Sequence, residues 1–534
     1  MSDIENERRT ASPAANRAET PRPEMTPAWA AGVLSLAAQA GFDENSAAWL
    51  DRPSARAPIR RFCIDSREVG PGDAFVAFKG QKVDGNDFAP AVLKSGAALC
   101  LATDPRLAGL DGVLVVEDPV AALAALARRR RADVNPYVVA ITGSCGKTTA
   151  KNMLERILRR RHGPKGAVAT EGNRNNEIGV PLTLLSMGSG ARAVAVEMGM
   201  NHKGELSRLT RIARPDFAVV LNALRAHIGA FGDVESIARA KSEIYEGLGP
   251  DGIAAWRADS PCAGVFRGAV ADLGLEGLSF GPEDSGADAR FGAVTLGAAE
   301  CAFDLLFSPR ALRLARGRAA LASGDRLEAG AQGGAKLRVR VAAPGGAIPA
   351  NAAAAALAGL AAGASLADVE AGLADYVPQP GRMRPAPLGG GSILIDDCYN
   401  ANPDSMASAM DALERFASAS ERVFVMGDMG ELGGAALELH VETARRLARK
   451  AVDRVLFYGP LSAQACELTQ DDRAKRAVSG LGPQRAQSFA LKDYDRLLDA
   501  AKTLRRGGAI LVKGSHAMGL DRLCRDLACA LGGQ

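Results

Sequence analysis

The chain is predicted to be a multidomain α/β protein built on mostly parallel sheets, and three observations carry that prediction. Its 534 residues are enough for three or four domains with substantial cores. From residue 135 onward, short apolar runs at 137–141, 193–196, 217–221, 422–426, 454–458 and 508–512 alternate with helical segments. Alternation of that kind gives parallel strands covered on both faces. Finally, Thr142-Gly143-Ser144-Cys145-Gly146-Lys147-Thr148-Thr149 lies between the first of those runs and a helix with Met153, Leu154, Ile157 and Leu158 on one face. In such sheets ligands gather beyond the carboxyl ends of the strands.

Composition narrows the class. With 47% apolar and 24% charged residues, the chain matches ordinary globular proteins and excludes a disordered chain, a collagen-like fibre or a disulfide scaffold. A formal net charge of +4 over this length is too weak to argue for nucleic acid or a membrane surface, and neither is expected as partner. Nine cysteines, an odd number without a CxxC pair or a histidine cluster, read as free, mostly buried thiols in a reducing compartment and not as a zinc site. The opening MSDIENERRT lacks the pattern of a signal peptide, and no run approaches the roughly 18 uncharged apolar residues that span a bilayer. A cytoplasmic protein is expected.

In chain order, residues 1–27 carry four prolines and no aromatic residue, the composition of a disordered tail. A helix with Trp29, Val33, Leu34 and Leu36 opens a first domain over 28–132, whose short β-type runs are broken by Gly70-Pro71-Gly72. That domain closes on an Ala/Leu helix whose arginine run at 128–131 reads as a solvated helix end. A central domain follows over 133–380; within it 265–345 is Gly/Ala-rich and weakly patterned. A linker around 378–385 precedes a third domain over 381–534, and no internal repeat is evident.

The Gly-rich loop carries the chemistry. Its backbone N–H groups and the following helix N-terminus form an anion cradle. Lys147 would reach the β- and γ-phosphates, and the Thr148 hydroxyl would ligate Mg²⁺. Only Ser144 and Cys145 separate the loop glycines, where the common P-loop has four residues, which points to a particular ATPase family. Glu197, closing AVAVEMG, and His227, just past Asn222, follow two later strands and are metal-type ligands at the same sheet edge. Taken alone, Lys241 in ARAKSEI reads as a solvated lysine.

Four stretches go beyond a generic ATPase: DSREVGPGDAFVAFKG (65–80), TEGNRNNEIGVPLTLL (170–185), ARAKSEIYEGL (238–248) and DDCYNANPDSM (396–406). Together they closely resemble the Mur ligases, over roughly residues 28–534, and within that family the branch that adds D-Ala-D-Ala. The resemblance implies a UDP-sugar-binding domain, a central P-loop ATPase and a C-terminal Rossmann-like domain. It implies amide-bond formation in peptidoglycan synthesis: ATP phosphorylates the terminal carboxylate of UDP-MurNAc-tripeptide, and the amine of D-Ala-D-Ala displaces phosphate from the acyl phosphate.

Roles transfer where the motifs match. Gly143 to Thr149 would cradle ATP, Thr148 and Glu197 would hold a first Mg²⁺, and His227 a second. Lys241 matches a lysine carbamylated in several relatives, a modification that needs the neutral amine and so predicts a pKa depressed by burial. Asn351 matches an adenine contact, Arg382 a γ-phosphate arginine and Asp397 an acid near the nucleotide. Ser66 and Arg67 would meet the uridine diphosphate; Asn173, Asn175 and Asn176 the sugar-peptide path; Tyr399, Asn400 and Asn402 the dipeptide. The family also favours a monomer. Departures accompany the match: Ala347 and Ile348 replace a His-Asn pair, Gly229 stands where an acid usually follows His227, and His516 replaces an arginine in Lys513-Gly514-Ser515-His516. The sequence leaves open whether the tripeptide carries diaminopimelate or lysine. A sister ligase for another amino acid, a non-catalytic nucleotide-sugar scaffold and a plain ATPase are the competing readings; the motifs at 170–185 and 396–406 weigh against the last.

Overall fold

The computed structural model describes residues 23–297, 299–314, 334–416, 418–475 and 483–532, and these form three sheets in chain order. The part of the expected tail before residue 23 lies outside the described residues. The remainder is packed: Met25 is buried, and Pro27 already opens the first helix, Pro27–Leu34, capped by the Thr26 hydroxyl. Leu36, expected on that helix's apolar face, falls beyond its end and is 85% exposed.

The first sheet holds β1 (Phe42–Asp43), β2 (Phe62–Cys63), β3 (Ala74–Val76), β4 (Leu99–Ala102) and β5 (Val113–Val116), in the order β1-β5-β4-β3-β2. Only β1 runs antiparallel to its neighbour. The helix Pro119–Val134 follows, N-capped by Asp118 and ended by Asn135 in the left-handed region at φ 47°. Its arginine run is not simply a solvated end. Arg128 and Arg129 are exposed, but Arg130 and Arg131 are buried. Arg130 donates to the carbonyl oxygens of Met187 and Pro23, and Arg131 to those of Ala213 and Arg214 and to Asp216. Apart from that of Pro23, the carbonyls they satisfy belong to the next domain, which no dipole argument on an isolated helix foresees.

The central sheet contains β6 (Tyr137–Thr142), β7 (Ala167–Ala169), β8 (Ala193–Glu197), β9 (Phe217–Val220), β10 (Ile253–Arg257), β11 (Glu276–Pro282), β12 (Ala289–Leu296), β13 (Cys301–Phe307) and β14 (Ala335–Val341). Its order is β14-β13-β12-β11-β10-β9-β6-β8-β7, parallel from β7 through β12 and antiparallel at β13 and β14. The weakly patterned stretch 265–345 therefore builds one end of this sheet, apart from residues that are not described.

One face of the sheet shares a continuous apolar core with the first domain, running from Met25 and Leu126 to Val138, Val194 and Phe266. The other face is covered by the helices Lys147–Gly166 and Ile348–Ala361. All fourteen residues of the second helix are buried. A Cβ at Gly359 would stand 2.7 Å from Ile157 Cγ2, and one at Gly372 2.5 Å from the Ile157 backbone. The Ala/Gly texture thus reflects helices too close for larger side chains.

The third sheet holds β15 (Arg384–Pro387), β16 (Ile393–Asp396), β17 (Arg422–Gly427), β18 (Arg454–Tyr458), β19 (Arg485–Phe489) and β20 (Ala509–Lys513), in the order β15-β16-β20-β17-β18-β19. All neighbours are parallel except β15. The stretch expected as linker thus already contains an edge strand, Arg384 pairing with Asp396. Prolines at 385 and 387 suit that edge, where no ladder N–H is needed on the outer side.

Candidate functional site

The carboxyl ends of β6, β8 and β9 face the corresponding ends of β16 and β20 across a cleft of about 760 Å³. The phosphate loop forms its floor. Gly146 adopts φ 84°, and a Cβ there would lie 2.5 Å from Asn351 Oδ1, so both backbone and neighbour demand glycine. Asn222 fixes the loop by a double contact: its Oδ1 accepts from the Cys145 N–H at 3.0 Å, and its Nδ2 donates to the Cys145 carbonyl at 3.1 Å. Ser144 Oγ bonds the backbone of Leu224. Lys147 curls back so that its ammonium donates to the Gly143 carbonyl at 2.9 Å. Ser144, Cys145, Gly146, Lys147, Thr149 and Asn351 line the cleft, while Thr148 is buried just behind them.

Glu197, at the end of β8, is 1% exposed. Its Oε1 accepts from Asn175 Nδ2 at 2.8 Å, its backbone N–H donates to Thr170 Oγ1, and its Oε2 has no hydrogen-bond partner among the described residues. A buried carboxylate oxygen left unpartnered is costly unless something else meets it. The three asparagines behave differently from one another. Asn175 orients Glu197, Asn176 Oδ1 caps the helix Gly179–Leu185 by accepting from the Gly179 N–H, and Asn173 lines the cleft wall.

Lys241 is 2% exposed, which overturns its isolated reading as a solvated lysine. No ion-pair partner meets it among the described residues; burial, aided by the Lys147 charge, pushes its amine well below 10.5. Burial likewise lowers Lys147, opposed by the Glu197 charge.

The far wall belongs to the third sheet. The Arg382 guanidinium lies over the Tyr399 ring at 3.9 Å, and Tyr399 faces His516 with ring centroids 5.7 Å apart. Asp397 is held by Lys513, whose ammonium donates to Oδ2 at 2.7 Å and to the Asn400 carbonyl at 2.9 Å. Burial raises the Asp397 carboxyl even so. Asn402 caps the helix Pro403–Glu414 and extends Nδ2 to Cys145 Sγ at 3.2 Å, across the cleft. Ala347 and Ile348 also line the cleft.

Further contacts join the two walls. Arg225 pairs with Asp404 and Glu442, each at 3.0 Å. His227 Nδ1 lies 2.7 Å from Glu431 Oε2, and the Gly229 N–H donates to the Glu431 carbonyl. Asn222, Arg225, Glu431 and Lys513 were not among the sequence candidates. The first two follow the strand end that precedes His227, which was their available signal, and Lys513 opens the Lys513-Gly514-Ser515-His516 motif; Glu431 becomes a site residue only through the pairing of distant elements.

Ser66 and Arg67 are not brought to this cleft. They sit on a short turn of the first domain, where exposed Arg67 pairs with Asp65 at 2.5 Å. The cysteines are free and mostly buried, as expected, and two of them meet a carboxylate: Cys398, Cys524 and Asp396 bring their donor atoms within 4.8 Å of one another. Cys398 Sγ donates to Asp396 Oδ1 at 2.9 Å. Hydrogen bonding to Cys398 together with burial pushes the Cys524 thiol up, and the group ties the helix Leu520–Leu531 to the end of β16.

Comparison with known proteins covers nearly the whole chain. Family descriptions match as "Mur ligase family, catalytic domain" over 58–131, "Mur ligase middle domain" over 141–358 and "Mur ligase, glutamate ligase domain" over 381–516. The UDP-N-acetylmuramoyl-tripeptide–D-alanyl-D-alanine ligase of Escherichia coli is 33% identical across 87% of this chain and 92% of its own length. The Bacillus subtilis enzyme of the same name is 29% identical across 88% and 93%. Among solved structures, MurF from Acinetobacter baumannii superposes with a TM-score of 0.74 at 30% identity, covering 95% of this chain and 99% of that one. MurF ligase from Thermotoga maritima in complex with ADP gives 0.68 at 28% identity, covering 88% and 97%.

Proposed function

The chain belongs to the Mur ligase family, and from that premise we infer that it joins D-alanyl-D-alanine to UDP-N-acetylmuramoyl-tripeptide at the expense of ATP, giving the pentapeptide precursor of peptidoglycan. One observation in the cleft supports this most directly. A phosphate loop, the half-satisfied Glu197 carboxylate and Lys241, buried without an ion-pair partner among the described residues, face a wall carrying Arg382 and Lys513, which suits a reaction between two anions and an amine.

In this reading the loop N–H groups and Lys147 hold the β- and γ-phosphates, Asn351 meets the adenine beside Gly146, and Arg382 steadies the γ-phosphate from the opposite wall. Asp397, through its pair with Lys513, fixes the nucleotide side of that wall. The tripeptide carboxylate attacks the γ-phosphorus, the bond to ADP breaks, and an acyl phosphate forms. The dipeptide amine then attacks the carbonyl carbon, loses a proton, and phosphate leaves with the C–O bonding pair. Alignment and charge neutralisation dominate such a barrier.

The donors fit Mg²⁺: Glu197 offers a free carboxylate oxygen and Thr148 a hydroxyl. Bound there, the ion would draw negative charge from the phosphate oxygens. His227 would serve a second ion. Lys241, with its pKa depressed, is suited to exist as a carbamate that brings negative charge to the cationic side of the cleft. Asn173, Tyr399 and Asn400 line the cleft; Asn173 would meet the sugar-peptide path, and the other two the dipeptide. Ser66 and Arg67 hold the uridine diphosphate from the first domain. Dependence on ATP is in keeping with a cytoplasmic location, and a monomer is the state the family resemblance favours.

The test is phosphate release by the purified protein with Mg-ATP, UDP-MurNAc-tripeptide and either D-Ala-D-Ala, single D-Ala or a diamino acid. Release that needs tripeptide and D-Ala-D-Ala together, with a pentapeptide product, is the expected result. Release with single D-Ala or the diamino acid instead would identify a sister ligase, and none in any combination would overturn catalysis.

A further inference from the structure

We propose that Glu431, reaching across from the third domain, is the positioning residue that sets the ring orientation and tautomer of His227, so that His227 presents its other nitrogen to a metal only when the cleft is closed. The proposal rests on the reading of His227 as a ligand.

The geometry is specific. Glu431 Oε2 lies 2.7 Å from His227 Nδ1. An imidazole that donates Nδ1–H to a carboxylate keeps its lone pair on Nε2, the arrangement by which ligating histidines are oriented. Both residues adopt left-handed backbones, at φ 61° for His227 and φ 63° for Glu431, conformations that side-chain-bearing residues take up only when surroundings impose them. The surroundings here are each other's loops. The Gly229 N–H donates to the Glu431 carbonyl, and Ile228 packs on the apolar core of the third domain. A Cβ on Gly229 would stand 2.5 Å from the Gly433 nitrogen, and one on Gly433, itself at φ 58°, 2.9 Å from Gly229 Cα.

Position 229 thus has no room for a side chain while the loops are docked. An acid to steady His227 cannot come from the next turn of its own loop, and Glu431 supplies it from the other domain. Orientation of the histidine and closure of the cleft become one event.

With only five histidines, the protein suits ¹⁵N-histidine labelling, with His227→Gln to assign the signal. In metal-free, ADP-bound protein at about pH 8.5, His227 is expected to show Nδ1–H with an unprotonated Nε2. Glu431→Gln, whose amide oxygen still accepts, is expected to retain that pattern, and Glu431→Ala to lose it. In parallel, Mn²⁺ titration with a non-hydrolysable ATP analogue, followed by electron paramagnetic resonance, is expected to show one site weakened about 10- to 100-fold in Glu431→Ala and largely restored in Glu431→Gln. A wild-type His227 protonated on Nε2, or an Ala variant with unchanged tautomer and unchanged Mn²⁺ affinity, would overturn the proposal. Should His227→Gln bind as many Mn²⁺ ions, equally tightly, while the tautomer result stands, the ligand reading fails and the positioning of His227 by Glu431 survives.

Discussion

Asn175 donates its side-chain amide to one oxygen of the buried Glu197 carboxylate and leaves the other oxygen without a partner among the described residues. The asparagine acts as a rotational stop: with Oε1 engaged at 2.8 Å, Oε2 is the oxygen left for a cation. Asn175→Ala is expected to lower turnover about 10- to 100-fold and to raise the Mg²⁺ concentration needed for half-maximal rate. A Mg²⁺ titration of pentapeptide formation reads both effects. An unchanged Mg²⁺ dependence would mean that Glu197 holds its position without help.

Arg130 ties the first domain to the second through buried carbonyl groups. Arg130→Met keeps much of the aliphatic bulk but strands the Met187 oxygen. The expected loss is about 1–3 kcal/mol in urea unfolding. Arg128→Met, two residues earlier and exposed, should stay within about 0.5 kcal/mol of wild type. Equal, small effects from both substitutions would show that water replaces the guanidinium.

Asp73 gives a pH prediction with a definite sign. Its side chain is fully buried; burial alone would raise the carboxyl, but hydrogen bonds from Arg60, the Gly70 N–H and Arg61 carry it below the ordinary 3.8. A carboxyl with a lower value folded than unfolded contributes stability that is complete above the unfolded value and lost as pH falls through the folded one. Wild-type unfolding free energy should therefore decline on acidification below about pH 4, towards the lowered value. Asp73→Asn should be less stable at pH 7 and show a shallower acid decline. Parallel urea titrations at several pH values decide it, and identical acid slopes would count against the assignment.

Lys241 carries the carbamate prediction. Its pKa, depressed by burial, raises the share of neutral amine that CO₂ can meet. Lys241→Ala should abolish ligation, and short carboxylic acids added to the assay should restore part of it. Wild-type protein prepared without CO₂ should recover activity on adding bicarbonate. Full activity in the alanine variant would end the carbamate reading.

Much of this arrangement was legible in the sequence because it depends on local pattern. The strands ending at Thr142, Glu197 and Val220 are short apolar runs followed by polar residues, and the phosphate loop must sit between strand and helix. What escaped notice needed partners from elsewhere. The segment Ala335–Val341 does alternate, Leu337, Val339 and Val341 against Lys336, Arg338 and Arg340, but it lies in a stretch diluted by glycine and alanine. Arg130 and Arg131 look like any basic helix end until the carbonyls of the next domain meet them. Glu431 cannot be tied to His227 by spacing, because 203 residues and a domain boundary lie between the two.

The two domain junctions differ in chemistry, and so in how they answer to temperature and salt. The first and second domains share one apolar core, so parting them would expose hydrocarbon to water with a large heat-capacity change. Across the cleft, apart from Ile228, the ties described above are ion pairs and hydrogen bonds: Arg225 with Asp404 and Glu442, Asn402 with Cys145, and His227 with Glu431. Opening that side would break those pairs together with the Ile228 contact on the third domain's core. Ionic strength, and the charge brought in by the nucleotide, act directly on those pairs. The third domain is thus held across the cleft chiefly by charge and hydrogen bonds, while a shared hydrocarbon core joins the first two.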